Sequence, residues 1–279
     1  MSLRDIGKAV LSTQPCLGML AGVGRSPFGR ELLNRLSNSG GVYDTFQEGW
    51  AAAKRVNPVG HEDPEEIEVH LRVSQTLRPS DYAALFWFLK IDAENLRIFD
   101  YGGNVGNLYY SYMPYLKNQR KIEWTVFDIP SVVENGKMIA AKNNASGLTF
   151  VKSVGGVFRP QVLFLSGAFH YWEGTVEEFL RQFTAPPEHI IVNRSPVHET
   201  KHSFVTVQHT RTCAFPCVVR NAAEMISDFA AMDYVMVDRW NALELTLRLP
   251  LFPEWSVAAY SGFYFRLQKY DGDNPTRGR

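Results

Sequence analysis

Ile98-Phe99-Asp100-Tyr101-Gly102-Gly103-Asn104-Val105-Gly106-Asn107 joins an apolar run to a glycine-rich turn and then to a helical stretch. Glycines in such a turn let the backbone take positive φ and approach a ligand with no Cβ in the way. The helix that follows starts with N–H groups that have no partner inside the helix. In an open α/β sheet, ligands sit outside the carboxyl ends of the strands, where the strand order reverses. The spacing is Gly-Gly-x-x-Gly, not the Gly-x-Gly-x-x-Gly of dinucleotide enzymes, which counts against a nicotinamide oxidoreductase.

The same texture continues on either side of this turn. Apolar runs at 96–101, 122–128, 148–153, 162–166 and 189–193 read as strands. Helical patterns at 106–116, 130–143 and 175–183 lie between them, with Pro114 disturbing the end of the first. Strands that alternate with helices imply a parallel sheet with right-handed crossovers. After Pro196 the pattern loosens. Residues 197–220 are polar, then aromatic and cysteine-bearing. A helix at 222–232 precedes alternating strands at 234–240 and 262–268, which can add an antiparallel hairpin at the sheet edge. The long connection between those strands carries Pro250, Pro253 and Trp255 and can cover a pocket.

Residues 1–90 read as mostly helical. Helices are expected at 44–54, from Asp63-Pro64-Glu65-Glu66 onward, and at 82–90 behind a Ser80 or Asp81 cap. Phe86, Trp87, Phe88 and Leu89 on the last of these read as core. The fold class is therefore α/β: a Rossmann-like, mostly parallel sheet with an antiparallel edge hairpin, plus an N-terminal helical region. The expected division is a helical cap or dimerisation region at 1–90, a nucleotide-binding domain at 91–270 and a polar tail at 271–279.

The strand after the glycine turn ends at Asp128. A carboxylate there can accept hydrogen bonds from both hydroxyls of a ribose. Asp100-Tyr101-Gly102-Gly103-Asn104-Val105-Gly106 resembles the first motif of class I S-adenosylmethionine methyltransferases. Phe127-Asp128-Ile129-Pro130 resembles the second motif of small-molecule O-methyltransferases, which commonly read Asp-Leu-Pro there. The resemblance spans roughly residues 80–196, more loosely to about 268. The whole chain also resembles a bacterial family of methyltransferases. The resemblance implies S-adenosyl-L-methionine as the cofactor and a Rossmann-like class I methyltransferase sheet. Asp100, Gly102, Gly103, Asn104 and Gly106 would line the methionine end, Asp128 would hold the ribose, and Ile129 would pack on the adenine. Asn104 replaces a glycine common in relatives, but asparagine tolerates the left-handed conformation better than other non-glycine residues. Ser153 stands where O-methyltransferases often place an acid near the adenine, and Ser166 ends the strand on the other side of the site.

The loop after that strand reads Gly167-Ala168-Phe169-His170-Tyr171-Trp172-Glu173. His170-Tyr171-Trp172 is similar to a His-Asp-Trp triplet whose histidine is the general base in the O-methyltransferases. An imidazole titrates near pH 6.5 and can take a hydroxyl proton at neutral pH. The other reading of His170 is a packed histidine, with catalysis by proximity alone. Trp172 and Arg194 are the candidate substrate contacts. Arg194 can reach a carboxylate or phosphate, or it can form a surface salt bridge.

Composition narrows the remaining choices. The chain has 279 residues, 45% hydrophobic and 21% charged, with 29 basic and 29 acidic side chains. A zero net charge gives no general pull toward nucleic acid. Cys16, Cys213 and Cys217 do not make a disulfide framework. With His198, His202 and His209, the last two match no strong zinc spacing, so no metal is expected. The uncharged run 9–24 is broken by Ser12, Thr13, Gln14 and Pro15, unlike a secretory leader. No stretch is long and apolar enough to span a membrane. A cytoplasmic methyltransferase of a small-molecule acceptor is expected, with oxygen as the acceptor atom and a homodimer as one assembly. The alternative is a non-catalytic descendant of the fold that binds a ligand or partner.

Overall fold

Strands buried on both faces need apolar residues at every position, and Val162-Leu163-Phe164-Leu165 has them: all four are fully buried. They form the middle of a larger layered structure. The computed structural model describes residues 39–56, 77–118, 120–155, 160–209 and 213–268. In chain order these form β1 (Ser39–Tyr43), α1 (Phe46–Val56), α2 (Pro79–Lys90), β2 (Asn95–Tyr101), α3 (Asn107–Leu116), β3 (Lys121–Phe127), α4 (Pro130–Lys142), β4 (Leu148–Val151) and β5 (Val162–Ser166). The chain continues through α5 (Val176–Leu180), β6 (His189–Ser195), β7 (Val197–His198), β8 (Phe204–His209), β9 (Ala214–Asn221), α6 (Ala222–Ala231), β10 (Tyr234–Ala242) and β11 (Tyr260–Leu267).

Seven strands make the main sheet in the order β10-β11-β6-β5-β2-β3-β4. The pairs among β2, β3, β4, β5 and β6 are parallel, whereas β11 runs antiparallel to both β6 and β10. This is the expected Rossmann-like sheet with its edge hairpin. Side chains alternate between two cores, as the two-residue period of a strand requires. Ile98, Trp124, Phe164 and Ile191 face a core covered by α2, α3 and α4. Phe99, Leu163, Leu165, Ile190 and Val192 face the other, covered by α5 and α6. From β2 the chain steps outward through β3 to β4, then crosses back to β5 on the other side. The strand order therefore reverses between β2 and β5, which makes their carboxyl ends the expected crevice.

The remaining strands correct the sequence reading. Residues 39–43 lie in the region expected to be helical, yet they form β1. The stretch 197–220, which showed no clear period, supplies β7, β8 and β9. Together they form a second sheet in the order β1-β8-β9-β7. Elements on both sides of the expected boundary near residue 90 thus share one sheet. The helix α1, expected at 44–54, covers this sheet, with Ala53 packed against Val207 and Ala214. The helix expected from Asp63 onward and the polar tail lie outside the described residues. The start of α2 also differs. Its N-cap is Arg78, Pro79 opens the first turn, and Asp81 Oδ2 accepts the Arg78 N–H at 2.8 Å. Of its aromatic run, Phe88 is fully buried but Phe86 is 49% exposed. The helix expected at 175–183 is only Val176–Leu180, capped by Thr175.

Gly136 in α4 shows how closely the layers approach. A Cβ there would lie 2.3 Å from a ring carbon of Phe150 on β4. Alanine in a helix normally stabilises relative to glycine. Here the clash dominates, and Gly136→Ala is expected to destabilise the protein by about 1–3 kcal/mol. A denaturant midpoint equal to or above that of the parent would show that β4 and α4 are packed otherwise.

Candidate functional site

Both strands at the switch point end in residues that leave the sheet with positive φ. β2 runs into Gly102 (φ +70°) and Asn104 (φ +55°), and β5 runs into Gly167 (φ +74°). Gly103 sits directly on the Asp100 side chain, and a Cβ there would come within 2.5 Å of the carboxylate. The turn is therefore glycine-rich because it folds over Asp100. Asp128, half-buried at the end of β3, ties the turn down. Its Oδ2 accepts the Asn104 N–H and its Oδ1 accepts the Ile129 N–H, each at 2.8 Å.

A cavity of about 320 Å³ opens over these strand ends. Asp100, Gly102, Gly103, Asn104, Ser166, His170 and Arg194 line it, so seven of the sequence-selected residues come together. Asp128, Ile129, Ser153, Gly106 and Trp172 do not line it. Gly106 closes the turn at φ +85° as the N-cap of α3, against Leu148. Ser153 is exposed and bonds the Gly155 carbonyl at 3.4 Å. The Trp172 indole N–H donates to the Thr175 carbonyl at 2.9 Å, which occupies it within its own loop.

Arg194 is not a surface residue. It stands in β6 at φ +57°, beside a register shift where the β6–β11 ladder passes from Ser195 opposite Ser261 to Val192 opposite Phe263. Bulges of this kind re-aim side chains near sites. The guanidinium is buried, donates to Ser166 Oγ at 2.7 Å, and pairs with Asp81 at 3.4 Å. Asp81 also accepts from the Tyr112 hydroxyl at 3.0 Å. Arg78 completes a second cation on this wall. Burial lowers its pKa, the Arg194 charge adds to this, and Asp81 and Glu244 oppose it.

His170 is buried in the single turn Phe169–Tyr171, which projects into the cavity. That turn is held from the second sheet. Arg220 on β9 donates to the carbonyls of Trp172 and Gly174, each at 2.9 Å, and its guanidinium lies 4.5 Å from the centre of the Phe169 ring. Gln208 on β8 reaches the same cavity, as do Tyr171 and Tyr260. Sequence reading missed Arg78, Asp81, Gln208 and Tyr260 as site residues. Only Asp81 carried a signal, as a possible helix cap. Among the described residues no group of three His, Cys, Asp or Glu side chains could hold a metal ion, and no helix is long and apolar enough to cross a membrane.

No family model matches the sequence, and no curated relative matches it. Likenesses to solved structures are distant. A 1,6-didemethyltoxoflavin N1-methyltransferase of Burkholderia thailandensis, solved with S-adenosylhomocysteine, is 16% identical with a TM-score of 0.45, over 69% of this chain and 78% of that one. Magnesium protoporphyrin IX methyltransferase of Synechocystis PCC 6803 is 12% identical with a TM-score of 0.46, over 80% of this chain and 95% of that one. An O-methyltransferase from neocarzinostatin biosynthesis is 12% identical with a TM-score of 0.46, over 89% and 70%.

Asp100 is the electrostatic oddity of the site. Burial raises its pKa to about 7; the Trp124 N–H at 3.0 Å opposes this, Asp128 adds to it, and Arg194 opposes it. The folded protein therefore binds a proton that the unfolded chain releases near the ordinary carboxyl value. Stability from this group is present below that value and is lost as pH rises toward 7. Asp100→Asn removes the loss. Its stability relative to the parent is expected to grow between pH 5 and pH 7, by at most about 1.4 kcal/mol per pH unit. A difference that stays flat across that range in urea titrations would contradict the assignment.

Proposed function

We propose that the protein is an S-adenosylmethionine-dependent methyltransferase of a small-molecule acceptor, with an oxygen receiving the methyl group and His170 taking its proton. The observation that carries this reading is the pairing of the Asp100–Asn104 turn with Asp128 at adjacent strand ends, over a cavity at the sheet's switch point. Two further features support it. Arg78, Arg194, Asp81 and Asp100 set two cations and two acids around one chamber, which complements the α-amino and α-carboxylate groups of a methionine end. A carboxylate at the position of Asp128 suits ribose hydroxyls, and Ile129 beside it offers an apolar face for a base.

When bound, the cofactor supplies an electrophilic methyl group on a sulfonium. The chain's own part is to hold the reactants in line, to exclude water and to accept one proton. The chamber walls are suited to the first two tasks, since His170, Arg194 and Tyr260 are all buried within them. His170 Nε2 or Nδ1 would take the acceptor's hydroxyl proton as the new carbon–oxygen bond forms. The Asp100 carboxylic acid, poised near neutrality, would ionise beside a cationic ligand.

Isothermal titration with S-adenosylmethionine and S-adenosylhomocysteine tests the cofactor, with NADH as the control. Micromolar binding of the first two and none of NADH is expected. Failure of both to bind the folded protein would overturn the reading. Asp128→Ala is expected to weaken binding about a hundredfold through lost charge-assisted hydrogen bonds. Unchanged affinity in that variant would move the site elsewhere. His170→Ala is expected to lower kcat roughly a hundredfold on an acceptor found by screening with labelled cofactor, at unaltered cofactor affinity. Equal turnover would leave proximity as the whole of catalysis.

A further inference from the structure

The chamber wall opposite the glycine turn is built from three distant segments and is joined by one side chain. Gln208 on β8 lies between two phenols. The Tyr171 hydroxyl donates to Gln208 Oε1 at 2.7 Å, and Gln208 Nε2 donates to the Tyr260 oxygen at 2.9 Å. Tyr171 comes from the turn that carries His170, and Tyr260 opens β11. All three residues line the cavity, and the His170 ring meets the Tyr260 ring edge-on with centroids 6.3 Å apart.

Counting protons decides what this wall can do. One amide oxygen accepts from one phenol, and the amide nitrogen gives its proton to the other. Tyr260 is therefore an acceptor toward Gln208, and its own O–H proton must point elsewhere. Its hydroxyl has no other hydrogen bond among the described residues. Burial also holds its pKa well above the usual phenol value, so it stays a donor at every physiological pH. A ligand that displaces solvent from this wall without accepting from the hydroxyl leaves a buried donor unpaired, which is costly.

We infer that Tyr260 is a specificity-determining hydrogen-bond donor to the methyl acceptor, which carries a carbonyl-type oxygen as well as the hydroxyl that is methylated. The inference rests on the methyltransferase reading above for the identity of the second ligand. The hydroxyl of the acceptor meets His170, and its proton-free oxygen meets Tyr260 on the neighbouring ring. Gln208 is the positioning residue, because it fixes which way the Tyr260 proton turns. An alcohol or phenol with no second oxygen satisfies His170 but leaves Tyr260 unfilled.

Two pairs of matched probes test this: para-hydroxyacetophenone against para-ethylphenol, and the corresponding meta pair. Each pair has nearly the same shape and differs in the carbonyl. Calorimetric titrations use the full chain saturated with S-adenosylhomocysteine. In at least one pair the ketone is expected to bind about tenfold tighter than the ethyl compound. Tyr260→Phe keeps the ring packing and should bring the ratio to near unity, with S-adenosylhomocysteine affinity and melting temperature unmoved. Gln208→Leu should also shrink the ratio, by releasing the hydroxyl to turn. Equal affinities within both pairs, no binding of any probe, or a preference that survives in Tyr260→Phe overturns the inference. The nucleoside titration is run first, on its own. If it fails, the methyltransferase reading falls, and the probe ratio is then measured on the chain alone, so the two failures are told apart.

Discussion

Asp128 accepts a backbone N–H at each carboxylate oxygen, and those two bonds hold the candidate site in register. One reaches the Asn104 N–H in the turn after β2; the other reaches the Ile129 N–H at the start of α4. The end of one strand is thereby fixed to the end of its neighbour. That tie works with the bond from the Gly102 N–H to the Phe127 carbonyl at 2.8 Å to define a turn whose glycines, left alone, would define it poorly. Everything on the chamber floor, from the buried Asp100 to the Ser166–Arg194 contact across β5 and β6, is placed relative to that turn.

The parts of the fold that were legible in the sequence share a local cause. Residues 162–166 could be read to the residue because a strand buried on both faces needs an unbroken apolar run. The glycine turn was legible because its unusual backbone needs unusual residues. The second sheet had no such mark. β8 and β9 place Thr206, His209 and Arg220 in buried positions and carry Pro216 within a strand, so neither an apolar run nor a clean alternation shows. β1, the outer partner of β8, reads Ser-Gly-Gly-Val-Tyr and is more than half the chain away. Pairing at that distance leaves no local period to find.

Site residues follow the same division. Those on the turn and at the ends of β5 and β6 could be named because they sit next to recognisable strands. Arg78 and Asp81 come from the N-terminus of α2, and Gln208 from the second sheet, so only the folded chain brings them to the cavity. Arg194 was legible as a cation but not as a buried one, because a register shift in the ladder with β11 turns it inward. Trp172 shows the opposite case. It lies two residues after His170, yet it falls just past the end of the turn that carries His170, and its indole bonds within its own loop.

The pairing of β1 with β8 has a consequence for how the protein is made. Thr206 on β8 reaches the carbonyl of Gly40, 166 residues earlier. Closing a chain segment of that length costs entropy before any contact repays it. The parallel core lies between those strands in the chain, so once it has folded it shortens the effective loop that remains to be closed. The glycine-turn side of the chamber can therefore assemble early from near neighbours in sequence, while Gln208 on β8 belongs to a sheet that needs the distant pairing with β1. During synthesis β1 leaves the ribosome well before β8 exists, and it must remain unpaired and soluble through that interval. The two glycines and short length of β1 suit a strand that has to wait, since they make it a poor template for pairing with other chains.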